Sequence, residues 1–137
     1  MKIVLDTNVF WVSISRKSST HWVFEKLLSG AFQLCVTTDI LEEYEEIIGQ
    51  RLGQDVASYV LEVIDSLPHL VYITRYYHWN LIINDPDDDK FVDCAVAANA
   101  DFIVTNDKHF DILKNVAFPK VLVINQEEFK ELWSIDD

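Results

Sequence analysis

Four stretches of this chain carry carboxylates where they could do chemistry: Asp6 in Leu5-Asp6-Thr7-Asn8, Glu43 within Glu42 to Glu46, the run Asp85-Pro86-Asp87-Asp88-Asp89, and Asp107 in Thr105-Asn106-Asp107. Clustered carboxylates are the donor set of hard divalent cations such as Mg²⁺ and Mn²⁺. Such an ion, kept partly hydrated, brings a water nucleophile and neutralises charge on a departing oxygen, as phosphodiester hydrolysis requires. Each acid also has a plainer use. An aspartate after a strand often caps a helix, which applies to both Asp6 and Asp107. Most of Glu42 to Glu46 reads as a solvated helix face. The Asp85 to Asp89 run suits a helix N-terminus and is no EF-hand, because Lys90 stands at the glycine position and Val96 at the bidentate glutamate.

The order of elements brings the four stretches together. Lys2 to Leu5 is a continuous aliphatic run, the mark of a strand buried on both faces. Phe32 to Val36, Leu70 to Ile73, Phe102 to Thr105 and Val121 to Ile124 read as four further strands. Helical spacing appears at Trp22, Val23, Leu27 and Leu28 before Gly30, and at Ile40, Leu41, Tyr44, Ile47 and Ile48 after the candidate caps Thr37, Thr38 and Asp39. It recurs from Asp55 to Leu67, stopped by Pro68, and through Phe91, Val92, Ala95, Val96 and Ala98. A short helix from Phe110 to Leu113 and a last one to about Trp133, with Asn125 and Glu128 as a variant capping box, complete the pattern. The segment from Arg75 to Pro86 lacks a period and reads as a connection. Strands alternating with helices predict a three-layer α/β/α domain with a parallel sheet in the order 3-2-1-4-5. In that order the strands ending at Asp6 and Asp107 are neighbours flanking the switch point, where such folds bind ligands. Glu43 and the Asp87 to Asp89 cluster lie early in helices that start at the same edge. Four acids meeting there would raise one another's pKa, and a bound cation resolves the conflict.

Composition sets the frame. The chain has 137 residues, 50% hydrophobic and 12% aromatic, with 3 Gly and 3 Pro, which predicts one folded domain over 1–137. No apolar run approaches ~18 residues, so the expectation is a soluble, cytoplasmic protein with no membrane partner. Cys35 and Cys94 sit in apolar runs and are expected as buried, reduced thiols. The net charge of -12 argues against a broad basic nucleic-acid groove, although metal ligands among the acids would lose that charge on binding ions.

Together the segments Leu5-Asp6-Thr7-Asn8-Val9, Ile40-Leu41-Glu42-Glu43-Tyr44, Asp85-Pro86-Asp87-Asp88-Asp89-Lys90-Phe91 with Ala95, and Ala100 to Lys108 resemble the PIN domain family. Within it, the resemblance is to toxin components of toxin–antitoxin pairs, and it covers nearly the whole chain. It implies Asp6, Glu43, Asp88 and Asp107 as catalytic, metal-binding acids, with Asn8 and Thr105 supporting them. Asp89 is the alternative third acid, one residue and about 100° around the helix from Asp88. It further implies a Mg²⁺- or Mn²⁺-dependent endoribonuclease acting on single-stranded RNA, often a homodimer, silenced by an antitoxin protein.

The other candidates are less distinctive. His109 lies two residues beyond Asp107 and could assist at the site, although a surface or capping role is the plainer reading, and His21, His69 and His78 lack zinc spacing. Lys90, Lys108, Arg51 and Arg75 are the basic residues placed to meet phosphates. Trp11, Trp22, Trp79 and Tyr76-Tyr77 suit the core better than base stacking. A phosphoacceptor receiver domain would need an Asp after strand three and a Lys after strand five, where this chain has Thr74 and Asn125. The competing function is a catalytically inactive module of the same fold that binds RNA or a protein.

Overall fold

A computed structural model of the chain describes residues 1–74, 77–82 and 85–134. Five strands, β1 (Lys2–Leu5), β2 (Gln33–Thr37), β3 (Val71–Ile73), β4 (Phe102–Val104) and β5 (Val123–Ile124), form one parallel sheet in the order β3-β2-β1-β4-β5. This is the expected topology. Ile3, Val4 and Leu5 are all fully buried although successive side chains point to opposite faces, so β1 is covered on both sides. Helix α5 (Asp89–Ala98) lies across β1 to β4, while α3 (Thr38–Leu52) packs on β2, on α4 (Gln54–Asp65) and on α1 (Thr7–Ile14). Helices α2 (His21–Leu28) and α6 (Gln126–Ser134) complete the layers. No helix among the described residues is long and apolar enough to cross a membrane.

Helix α1 is absent from the sequence expectation, which ran from the first strand directly to the helix near Ser19. Its Val9-Phe10-Trp11-Val12 stretch is continuously apolar and so shows no helical stripe. The cause is that the outward positions are apolar too: Val9, Phe10 and Ser13 are enclosed, with the Phe10 ring 4.7 Å from that of Tyr44 on α3, while the opposite side carries the half-buried Trp11 and the exposed Val12. The Ser13 hydroxyl, with no solvent to meet, donates to the Phe10 carbonyl at 2.6 Å.

The other signals translate closely. Gly30 takes φ +78 just after α2, a left-handed turn that suits glycine. The Thr37 hydroxyl accepts from the Ile40 amide at 3.3 Å and caps α3. Asn125 and Glu128 exchange reciprocal bonds of 2.8 and 3.0 Å, the capping box that starts α6. Cys35 and Cys94 are free and buried, and burial pushes their thiols up to about 11 and about 12. Strands β3, β4 and β5 are shorter than the aliphatic runs that signal them, and the last short helix is a 3₁₀ segment over Lys108–Asn115.

Within the 75–86 connection, residues 77–82 have no regular structure and are tied to α5, while Pro86 already opens a 3₁₀ turn. The Ile82 amide donates to Asp89 Oδ1 at 2.7 Å, and the Trp79 amide to Asp93 Oδ1 at 2.9 Å. His78 Nδ1 lies 3.4 Å from Asp93 Oδ2. Asp89 and Asp93 are four residues apart, on one face of the helix. Burial raises the Asp93 carboxyl, against the lowering effect of these two partners. Arg75 and Tyr76 lie outside the described residues.

Candidate active site

The register of β1 against β4 builds the first half of the site. Leu5 pairs with Val104, so Asp6 and Thr105 are the next residues up at the carboxyl edge. Thr105 is buried there, and its hydroxyl donates to Asp6 Oδ2 at 2.7 Å. Thr105 Oγ1 itself accepts the Asp107 amide at 3.0 Å, folding the chain after β4 back toward Asp6. Asp107 Oδ1 in turn accepts the His109 amide at 2.9 Å and caps the 3₁₀ segment. The capping use foreseen for Asp107 is therefore real, and it engages only one of the two oxygens.

The second half comes from α3 and the start of α5. Glu43 occupies the early turns of α3, where Thr7 Oγ1 donates to its Oε2 and Lys90 Nζ stands 2.7 Å from its Oε1. Lys90 also reaches Asp87 Oδ1 at 3.0 Å. Burial opposes the charge on Lys90, but its bonds to Glu43 and Asp87 outweigh that and raise its pKa. Asp85 caps the 3₁₀ turn Pro86–Asp88 with one oxygen, accepting the Asp87 amide at 3.2 Å. Three residues on, with about three residues per 3₁₀ turn, Asp88 falls on the same side.

The electrostatics distinguish the two neighbouring aspartates. Asp88 is pushed up to about 7, first by burial and then by Asp85, Asp6, Asp107 and Glu43. Its Oδ2 is enclosed and accepts no hydrogen bond among the described residues. Asp89 points away, into the 77–82 segment through Ile82. Asp6 is raised as well, by burial first and by Asp107 and Glu43, with Thr105 acting in the opposite sense. Carboxyls raised by one another's charge form a site whose energy falls when a divalent cation enters. All-oxygen donors at the end of two strands and the start of a helix fit Mg²⁺ or Mn²⁺.

Asn8 is exposed and its amide oxygen accepts from Trp11 Nε1 at 3.1 Å. With Asp6, Asp107, Asn106 and Gln126 it lines a hollow of about 450 Å³. A second hollow of about 450 Å³ opens on the Glu43 side, walled by Asp39, Glu42, Glu46, Asp87 and Lys90. Lys108 is exposed beside Asp107, whereas Arg51 stacks on Trp11 with its guanidinium carbon 5.2 Å from the ring centroid. Trp22 packs on the core against Phe129, and Trp79 sits edge-on between Tyr77 and Phe118, both strongly exposed.

Two residues of this assembly were not singled out from the sequence. Thr7 entered only as part of the segment after the first strand, yet its hydroxyl is what fixes Glu43. Asp85 stands three residues before Asp88, a spacing that would have exposed it had the turn been read as 3₁₀ rather than as the open start of a helix.

The comparisons with known proteins accord with this geometry. A solved structure described as VapBC2 from Rickettsia felis bound to a DNA fragment from their promoter is similar to this chain with a TM-score of 0.62 and 18% identity. The match covers 91% of this chain and 98% of that one, and at that identity it speaks for the fold. No curated protein matches the chain. The PIN domain profile matches residues 2–109, a stretch that contains all four acids and every strand except β5. The chain belongs to the PIN domain family.

Proposed function

We propose that this protein is a divalent-metal-dependent endoribonuclease that cleaves single-stranded RNA, and that it acts as the toxin of a toxin–antitoxin pair. The observation that carries the reading is the bridging of Asp6 and Asp107 by Thr105, with Asp88 close enough to both to feel their charge and with Asp6 and Asp88 both raised by burial and by neighbouring negative charge. Membership of the PIN domain family supports it.

In this reading Asp6 and Asp107 are the principal ligands, and Asp88 serves a second or more weakly held ion. A bound Mg²⁺ or Mn²⁺ supplies neutralisation of the phosphate and the departing oxygen and polarises a water toward phosphorus. Glu43 is a ligand or the water-orienting base, its two oxygens steadied by Thr7 and Lys90. Thr105 positions Asp6, and Asn8, on the wall of the same hollow, hydrogen-bonds the water shell. Lys108, exposed beside Asp107, meets a flanking phosphate. The net charge of -12 and the acidic wall of Asp39, Glu42 and Glu46 suit a basic antitoxin segment. A homodimer in the cytoplasm completes the proposal.

The test is cleavage of a panel of single-stranded and structured RNAs by the purified protein with Mn²⁺, with Mg²⁺ and with EDTA, beside an Asp6→Asn control. Metal-dependent cutting of single-stranded regions that disappears in the control is the expected result. A folded protein that cuts nothing, or an Asp6→Asn protein that cuts as fast as the parent, overturns the reading in favour of an inactive binding module.

A further inference from the structure

Resting on that reading, the surroundings of His109 add a donor of a different kind. His109 Nδ1 faces three carboxylates: Asp107 Oδ1 at 3.4 Å, Asp85 Oδ2 at 3.7 Å and Asp88 Oδ2 at 3.8 Å. A charge-assisted hydrogen bond would bring nitrogen and oxygen to about 2.7–2.9 Å, so the ring is bonded to none of them. The separations are those of atoms sharing one ion. With metal–ligand bonds of about 2.1 Å, adjacent octahedral ligands stand about 3.0 Å apart and opposite ones about 4.2 Å. Ligand atoms of Asp85, Asp88 and His109 all lie within 4.8 Å of one another, so closing on an ion takes side-chain shifts of about an ångström.

The local folding leaves these atoms free for that role. Asp85 spends Oδ1 on the Asp87 amide and turns Oδ2 toward the ring. Asp107 fixes the His109 backbone, which aims the imidazole back across the cluster. Asp88 Oδ2 is enclosed with no hydrogen-bond donor among the described residues. One imidazole does not balance three carboxylates even when protonated, so the group has room for a cation.

We propose that Asp85, Asp88 and His109 form a nitrogen-containing cation position beside the Asp6–Asp107 pair, which takes a first-row transition ion such as Mn²⁺ in preference to Mg²⁺. Mg²⁺ is selective for oxygen and sheds water reluctantly, whereas imidazole binds the transition ions well. The position departs from the all-oxygen set read from the sequence, because its nitrogen comes from a residue that spacing alone assigns to the surface.

The experiment is titration of the full chain with MnCl₂ and with MgCl₂ by calorimetry, with pulsed electron paramagnetic resonance of the bound Mn²⁺. Nitrogen-14 modulation of the Mn²⁺ signal is expected, with Mn²⁺ bound about tenfold more tightly than Mg²⁺. His109→Gln loses the modulation and most of the preference, whereas Asp85→Asn weakens Mn²⁺ binding and keeps the modulation. Bound Mn²⁺ without nitrogen modulation in the unmodified protein overturns this inference and leaves the carboxylate-held ion of the proposed function in place. Failure to bind either ion overturns both.

Discussion

Thr105 Oγ1 bridges the two strands that flank the switch point, donating to Asp6 Oδ2 at 2.7 Å while accepting the Asp107 amide at 3.0 Å. One hydroxyl thereby sets the spacing of two acids that are far apart in sequence. Thr105→Val keeps the shape and removes the bridge, leaving a buried carboxylate oxygen short of a donor. A loss of about 1–3 kcal/mol in urea unfolding is expected, together with weaker cation binding. Thr105→Ser restores most of both.

Asp88 ties stability to pH. Its carboxyl, ordinarily at 3.8, is held at about 7 in the fold, so between those values the native state binds more protons than the unfolded chain. The stability this provides is fully present below about pH 4 and lost as pH rises through 7. Without divalent ions the protein should therefore melt at a lower temperature at pH 8 than at pH 5. Asp88→Asn should narrow that gap, and millimolar Mn²⁺ should narrow it in the parent by favouring the ionised form. Calorimetric scans at the two pH values check the sign.

The neighbours Asp88 and Asp89 should separate in their effects. Asp89→Ala frees the Ile82 amide and unties the 77–82 segment, so it should cost about 1–3 kcal/mol of stability and leave Mn²⁺ affinity within about threefold. Asp88→Ala should do the opposite, lowering Mn²⁺ affinity by about tenfold or more while leaving the fold intact or firmer at pH 8. Denaturation and calorimetry on the two variants compare them directly.

Lys90 acts as a resident counter-charge. It is largely buried between Glu43 and Asp87, at 2.7 and 3.0 Å. Lys90→Met should destabilise the metal-free protein by about 1–3 kcal/mol, because Glu43 loses a charged partner. The same change should tighten divalent-ion binding severalfold, since a positive charge close to the acids is gone. A fall in cation affinity would show that Lys90 organises the site more than it competes with the ion.

The fold was legible because buried parallel strands are written as unbroken aliphatic runs, and Lys2 to Leu5 and Phe102 to Val104 carry that signature. The convergence of acids followed from strand order alone. Helix α1 was not legible, since Trp11 and Val12 put apolar residues on its outward side and erase the polar face that reveals a helix. The separate directions of Asp88 and Asp89 were equally hidden: both are aspartates at a helix start, and only the partners, a cluster of acids for one and the Ile82 amide for the other, tell them apart. His109 was ranked as a surface or capping residue because its nearness to Asp85 and Asp88, which come from a different segment, is not written in the spacing.

Asp88, Asp89 and Lys90 follow one another in the chain and address three different neighbours: the acid cluster, the 77–82 segment and Glu43. Each step along a helix turns about 100°, so the three assignments share one phase. A substitution at any of them is a local event. A single residue inserted or deleted just before Asp88 shifts that phase for all three at once: the insertion aims Asp89 at Glu43, and the deletion aims Lys90 at the Ile82 amide. Length at this point should therefore be far less tolerant of change than composition.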